Sequence, residues 1–256
     1  MSRLVVRELR RLAELEAVQE VAREVWGFED RQLPSTSDLQ AVAHVGGLTA
    51  GAFSGTELVA FVHGLPRTNL AEDCQHSHML AVRPAWRGRG LAVRLKLFQR
   101  SWCLDRGIRL VTWTYDPLLV KNARLNLVRL GARAKRYLPN LYGPLGGIYG
   151  RLPSDRFEVH WRLDARDVER AARGILAEDR GAEALPRATS RRRPQPRRLA
   201  VEIPADFGAL LVSDPAAARR ARLKLRRVAP QLFASGYEAS SLHLRPDFAL
   251  YVFERR

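Results

Sequence analysis

The chain has 256 residues, is 46% hydrophobic and carries a formal net charge of +16. That length can bury a substantial core, in one large domain or two small ones, and the apolar content excludes a disordered chain. No segment approaches the ~20 apolar residues of a membrane span, and Met1-Ser-Arg-Leu-Val-Val-Arg-Glu8 alternates like a strand and lacks the apolar centre of a secretory signal. The expected compartment is therefore the cytoplasm, with no membrane contact.

Only four of the 43 basic residues are lysines (Lys96, Lys121, Lys135, Lys224). Such an arginine skew follows from GC-rich coding without any selection for nucleic acid, and the charge also suits the steering of small anions. With two cysteines, Cys74 and Cys103, a disulfide framework is not expected.

In chain order, Leu4 to Arg7 reads as a strand and Leu12 to Trp26 as a helix with Leu12, Leu15, Val18 and Ala22 on one side. Pro34-Ser-Thr-Ser-Asp38 is a turn and cap before a short helix. Gly51 to Ser54 and Leu58 to Leu65 form a hairpin around Gly55. The strand His76-Ser-His-Met-Leu-Ala-Val82 then enters the run Arg-Pro-Ala-Trp-Arg87-Gly-Arg-Gly90-Leu-Ala92. A helix follows, with its apolar stripe at Leu91, Leu95, Phe98 and Trp102. Arg109 to Tyr115 is the next strand, and Leu118 to Leu130 the next helix, closing at Gly131. Ala132 to Leu138 and Phe157 to Leu163 are further strands, joined by the turn-rich stretch 139–147, which is expected to lie over the active site. Asp164 to Ala177 is a polar helix.

Gly181 to Arg198, with Pro186, Pro194 and Pro196 around Arg191-Arg-Arg193, has linker composition. Beyond it come a strand at Leu199 to Ile203, a helix capped by Asp214-Pro215, and a hairpin of Tyr237 to Leu244 and Phe248 to Glu254. The expected domains are 1–165, a helix and basic linker at 166–198, and a small αβ extension at 199–256. The extension is too small for much core of its own and is expected to pack on the main domain or on a second copy in a homodimer.

A strand, a glycine-containing loop and a helix N-terminus together make an anion site, because first-turn N–H groups lack intrahelical partners and the helix dipole adds positive charge. Gly88 and Gly90 admit close backbone approach, while Arg87 and Arg89 add flanking charge. The spacing Arg87-x-x-Gly90-x-Ala92 after Val-x-Pro resembles the acyl-CoA signature of the GNAT superfamily of N-acetyltransferases. His76 to Val82, Thr112-Trp-Thr-Tyr-Asp-Pro-Leu118, Asn122 to Gly131, Tyr142-Gly and Leu152 to Trp161 are similar to one branch of that superfamily. That branch has a C-terminal extension and is associated with N-acylamino-acid racemases and N-succinylation of amino acids.

The resemblance implies an α/β (α+β) fold, with a mixed central sheet splayed between the fourth and fifth strands. It also implies an acyl-CoA donor, acetyl or succinyl, and a small amine acceptor, an amino acid being favoured. By the same resemblance, backbone groups at Leu80, Ala81 and Val82 bind the pantetheine arm. Arg87, Gly88, Arg89, Gly90, Leu91 and Ala92 hold the diphosphate, and Asn122 and Asn126, at i and i+4, bond the pantetheine amides or have capping or surface roles.

Transfer to an amine also needs a base. His76 and His78, alternating on the strand, either relay the proton through water or are structural. Cys74, His76 and His78 are metal-ligand types on one strand face, but no fourth ligand is evident, so no metal is expected. Many relatives place a tyrosine acid four residues before the helix-terminal glycine. Here that position is Leu127, which leaves Tyr115, Tyr137 and Tyr142 as candidates, Tyr142 foremost, or unassisted thiolate departure. In that superfamily acceptors often enter at the end of the second strand, where the resemblance places Tyr115 and Asp116. Asp116 is a base, an ammonium receptor or a helix cap. Arg156 pairs with a substrate carboxylate, or with Asp155 or Glu158. Leu127 also leaves room for an inactive acyl-CoA-binding module, and the arginine-rich linker for an RNA-associated protein.

Overall fold

Alternating apolar residues and helical periodicity set the elements of the computed structural model, which describes residues 4–68, 73–143, 153–176, 181–188 and 196–255. The chain divides into two compact units. The first takes in residues up to Trp113 and the second runs from Thr114 onward, with 146–148, which lie outside the described residues, grouped with the first. The division falls inside a strand, away from residues 165 and 198 where composition shifts.

In the first unit the strands are β1 (Leu4–Glu8), β2 (Leu48–Ser54), β3 (Glu57–Thr68), β4 (Asp73–Val82) and β5 (Leu110–Tyr115), whose last two residues belong to the second unit. They lie in that order, antiparallel up to β4 and parallel between β4 and β5. The helices are α1 (Leu12–Trp26), α2 (Thr36–His44) and α3 (Leu91–Leu104). The Ser35 hydroxyl accepts from the Asp38 N–H at 3.0 Å, so the expected cap of α2 is present. Leu15, Val18, Val21 and Ala22 of α1 pack with Leu39, Phe53, Phe61 and Ala81. Each fully buried aliphatic side chain contributes roughly 1.5–3 kcal/mol.

The ladder between β4 and β5 is short. It pairs Cys74, Gln75 and His76 with Leu110, Val111 and Thr112 and then stops. On its other side β4 has a bulge. His63 faces Met79 and Gly64 faces Ser77, so His78 is the extra residue. A bulge bends its strand and raises the local twist. It sits two residues past the end of the ladder, where β4 turns away from β5. This is the expected opening between the fourth and fifth strands.

The second unit holds α4 (Val120–Ala123), β6 (Arg133–Leu138), β7 (Arg156–Arg162), α5 (Arg166–Ala172), β8 (Arg198–Pro204), α6 (Phe207–Ser213), α7 (Pro215–Ala234), β9 (Tyr237–Leu244) and β10 (Phe248–Arg255). Its strand order is β7-β6-β9-β10-β8, so the C-terminal strands extend the same sheet as β6 and β7. Phe157 sits among Tyr137, Phe233, Tyr251 and Phe253 at ring distances of 5.2–6.3 Å, one aromatic core for both.

Several expectations change here. The helix expected over Leu118 to Leu130 is only four residues of α4 followed by a π turn, Arg124–Arg129. Part of the expected linker is packed structure. Ala182 is fully buried with Ala200, Leu250 and Val252, and Arg187 bridges to Ala200. Apolar Ala182 and Leu185 find a sheet face to cover; residues 189–195 lie outside the described set. The polar helix is also shorter than expected, and α6 was not anticipated.

Candidate active site

In the first unit, Pro84–Trp86 forms one 3-10 turn, Gly88 and Gly90 take φ of +78° and +74°, and Gly90 is the N-cap of α3. A side chain would meet nothing within 4 Å at either glycine, so left-handed backbone, not crowding, is what requires them. The first backbone bond of α3 runs from the Arg94 N–H to the Gly90 oxygen at 3.1 Å. Among the described residues, the amides of Gly88 to Ala92 donate to no backbone oxygen outside the helix. Arg87 through Gly90 are exposed. Arg89 lies over the Trp86 ring at 4.7 Å, and the Arg87 Nε donates to the Val82 oxygen at 3.3 Å. The loop is open, cationic and held in shape, with Leu80, Ala81 and Val82 leading into it on β4.

His76 and His78 do come together, with ring centres 6.3 Å apart. A third histidine joins them, since the His63 ring of β3 is 6.5 Å from His78. His76 Nδ1 shares a 3.2 Å hydrogen bond with Thr112, and His63 Nδ1 one of 2.8 Å with Thr49. Burial, and secondarily the His78 charge, pull the His63 pKa down to about 4. His78 keeps an exposed surface, yet loss of hydration lowers its pKa as well. His63 escaped the sequence reading because it ends an apolar run, Leu58 to Val62; a lone polar residue there was the available signal.

The same sheet buries a polar cluster with α3. Lys96 Nζ donates to the Ser77 hydroxyl at 2.7 Å and to Gln99 Oε1 at 3.0 Å, and lies 3.9 Å from the Trp113 ring centre. Burial lowers its pKa to about 7. The Gln75 side chain occupies the space beside Gly64, where a Cβ would come within 2.6 Å of it. Among the described residues no group of three or more His, Cys, Asp or Glu could hold a metal.

In the second unit the candidates fare differently. Both oxygens of Asp116 accept from Arg222 of α7, at 2.8 and 2.6 Å, and Oδ1 also accepts from the Leu118 N–H at 3.0 Å. Arg156 Nη1 is 3.7 Å from the same carboxylate, and all three side chains are at least 94% buried. Asp116 is thus committed to two guanidiniums, which corrects its reading as a base or ammonium receptor. Arg156 makes its ion pair with Asp116, and its Nη1 also donates to the Asp155 backbone oxygen at 3.1 Å. Tyr115 is corrected too, because its hydroxyl bonds Tyr251 at 3.1 Å in the core and burial pushes its pKa up. Tyr137 donates to Asp155, and burial likewise raises its pKa. Burial alone would raise Asp155, but hydrogen bonds from Arg226, Tyr137 and the Asn140 N–H outweigh it and hold the carboxyl below its ordinary range.

Tyr142 is the one candidate tyrosine left at the surface, with its phenol 3.2 Å from the Thr114 hydroxyl. Asn122 is exposed while Asn126 is 4% exposed, so the pair presents no common face. The π turn beginning at Arg124 changes the winding between them. Arg222 was missed altogether, because among Arg219, Arg220, Arg226 and Arg227 it reads as solvated surface.

Residues 10–125 match the acetyltransferase (GNAT) family model. That segment is similar to GNAT acetyltransferase domains. Among curated proteins, none matches the sequence significantly. The GNAT fold is also found in solved structures. A Desulfovibrio desulfuricans protein described as a GNAT-family acetyltransferase is 17% identical, covering 63% of this chain and 99% of its own, with a TM-score of 0.53. The ribosomal-protein-S18-alanine N-acetyltransferase of Escherichia coli is 15% identical over 64% of this chain and 96% of its own, TM-score 0.51. NAA60 of Arabidopsis thaliana is 16% identical over 62% and 98%, TM-score 0.51. No helix among the described residues is long and apolar enough to cross a membrane.

Proposed function

We propose that this chain transfers an acetyl or succinyl group from coenzyme A to the amino group of a small molecule, an amino acid being the favoured acceptor. The observation that carries this reading is the exposed Arg87–Gly90 turn with its open amides. It leads out of a β4 edge that β5 leaves uncovered past His76. Such a helix N-terminus favours a diphosphate, and an uncovered strand edge offers N–H and C=O groups to an extended amide chain.

The chemistry asks little more. The acceptor arrives as an ammonium and must lose a proton before its nitrogen attacks the thioester carbon. His78, exposed and with a depressed pKa, is neutral at pH 7 and takes that proton directly or through water, with His76 beside it. A β4 N–H polarises the thioester carbonyl, and the carbon–sulfur bond breaks as the amide forms. The departing thiolate takes a proton from water. Asp116, Arg156 and Tyr115 have no part in these steps.

Thiol release from acetyl-CoA and succinyl-CoA, measured across an amino-acid panel, tests the reading. Activity with at least one donor is expected. Silence with both would sink it. In Gly90→Asp, a carboxylate against the diphosphate should weaken coenzyme binding by at least ~10-fold without loss of fold. Unchanged affinity would remove the loop from the site.

A further inference from the structure

His63, Leu65 and Arg67 alternate along β3, so their side chains share one face of the sheet. On β4, His76 stands opposite Leu65 and Cys74 opposite Arg67, and Thr112 of β5 stands opposite His76. Directly opposed residues share a face. This is the face on which the three imidazoles meet. It is open here, because Leu65 and His76 are half-buried and Arg67 and His78 are exposed.

Arg67 reaches across β4, and its Nη1 donates to the Thr112 hydroxyl at 3.4 Å. His76 Nδ1 meets the same hydroxyl at 3.2 Å. Guanidinium and imidazole are thus neighbours across one buried oxygen. A guanidinium carries five N–H donors in a planar fork. Among the described residues Arg67 forms no ion pair, and one long bond leaves most of that fork unspent. In the second unit, by contrast, Arg156 and Arg222 are engaged with Asp116.

An acceptor whose ammonium lies at the imidazoles therefore has an unpaired cation beside it. A plain amine would meet that cation as a like charge. A carboxylate next to the amine removes the repulsion and fits the fork with two parallel hydrogen bonds. We infer that Arg67 receives the carboxylate of an α-amino-acid acceptor and so selects amino acids over plain amines. The inference rests on the acyl-transfer reading, which puts the ammonium at the histidines. The carboxylate is the acceptor's and not that of a succinyl donor. The coenzyme follows the β4 edge, which β5 leaves uncovered only past His76, whereas Arg67 lies over the part of the ladder that β5 closes. Leu65 and Met79, half-buried on the same face, offer apolar surface to an aliphatic side chain.

The test compares L-leucine, L-leucinamide and 3-methylbutylamine as acceptors. It also follows their binding to the full chain with coenzyme A present, by calorimetry and by the imidazole resonances of His76 and His78. L-leucine should bind saturably, move those resonances, and be the best acceptor of the three with either acetyl-CoA or succinyl-CoA. Arg67→Gln should weaken L-leucine binding by at least ~10-fold, as loss of a charge-assisted pair predicts, with a larger effect on KM than on kcat. Arg67→Lys, which keeps the charge without the fork, should recover part of the loss. Arg67→Glu should reverse the order, favouring the amide and the plain amine. Equal binding of L-leucine and L-leucinamide, no saturation by L-leucine, or unchanged L-leucine affinity in Arg67→Gln would each overturn the proposal. A loss confined to succinyl-CoA would do the same, by assigning the cation to the donor. Arg67-dependent binding of L-leucine without thiol release from either donor would support this site and count against acyl transfer. Thiol release to L-leucine that is indifferent to Arg67→Gln would leave acyl transfer standing and remove Arg67 from it.

Discussion

Along β3 and β4 of the first unit, His63, His76 and His78 stand ring to ring, with His76 and His63 bonded to the hydroxyls of Thr112 and Thr49. Around the start of α4 in the second unit, Asp116 is locked between Arg222 and Arg156, and Asp155 between Arg226 and Tyr137. The first arrangement leaves His63 and His78 as imidazoles whose lowered pKa values keep them neutral at pH 7 and able to accept a proton. The second leaves buried carboxylates held by guanidiniums, Asp155 accepting four hydrogen bonds and Asp116 three. A titratable side chain in a suggestive sequence position is therefore a weak guide. What matters is whether its hydrogen-bonding capacity is already spent.

The strongest way to break this contrast is to unpair the second cluster. Asp116→Ala would leave the Arg222 guanidinium, 2% exposed, as an uncompensated buried charge. Removing one partner of a buried pair costs about 3–5 kcal/mol, and urea denaturation should read a loss of that size. A loss under ~1 kcal/mol would show that Asp116 was not structural, and would reopen its role at the site.

A smaller effect is expected from the histidines, on rate rather than stability. His78→Ala should lower kcat/KM by about 10²-fold, the low end for a positioned base, because His76 and water can share the task. The acidic limb of the pH–rate profile should lie below pH 6.5, the ordinary imidazole value, given the downward shift at His78. A limb at or above that value would exclude His78. Stability carries its own signature. His63 has a pKa of about 4 when folded against 6.5 when free. Between those values the unfolded chain binds more protons, so stability is fully present above pH 6.5 and falls as the pH drops towards 4. His63→Gln should flatten that slope; an unchanged slope would place the titration elsewhere.

Much of the first unit is legible in the sequence because its signals are local. Alternation marks β4, Gly88 and Gly90 punctuate the loop, and Leu91, Leu95 and Trp102 mark the buried side of α3. The structure adds what depends on partners distant in the chain. The bulge at His78 reflects register against β3, and nothing in the order Ser77-His78-Met79 announces it. Within α3, Lys96 and Gln99 are buried beside that apolar stripe because Ser77 and Gln75 meet them from the strand. The π turn at Arg124 leaves no mark in residue propensity, so a regular helix was the natural reading of Leu118 to Leu130. The role of α7 was hidden by composition. One arginine in a run of arginines carries the bond to Asp116, and only packing distinguishes it from its solvated neighbours.

Lys96 sharpens the comparison from the other side, since it is a cation of the first unit that is buried yet bonded by neutral oxygens, Ser77 Oγ and Gln99 Oε1. Burial lowers its pKa from 10.5 to about 7. Between those values the unfolded lysine binds a proton that the folded one has released, so stability should rise with pH from 7 towards 10.5 and level off on either side. Methionine matches the length of the lysine stem and carries no charge, so Lys96→Met should gain on the order of 1 kcal/mol at pH 7. The gain should shrink as the pH approaches 10, where the native lysine is neutral in the folded chain. Denaturation midpoints at pH 7 and pH 9.5 measure this directly. An equal or growing advantage at the higher pH would mean that the folded lysine keeps its proton, and that neutral oxygens with the face of Trp113 are enough to hold a buried charge.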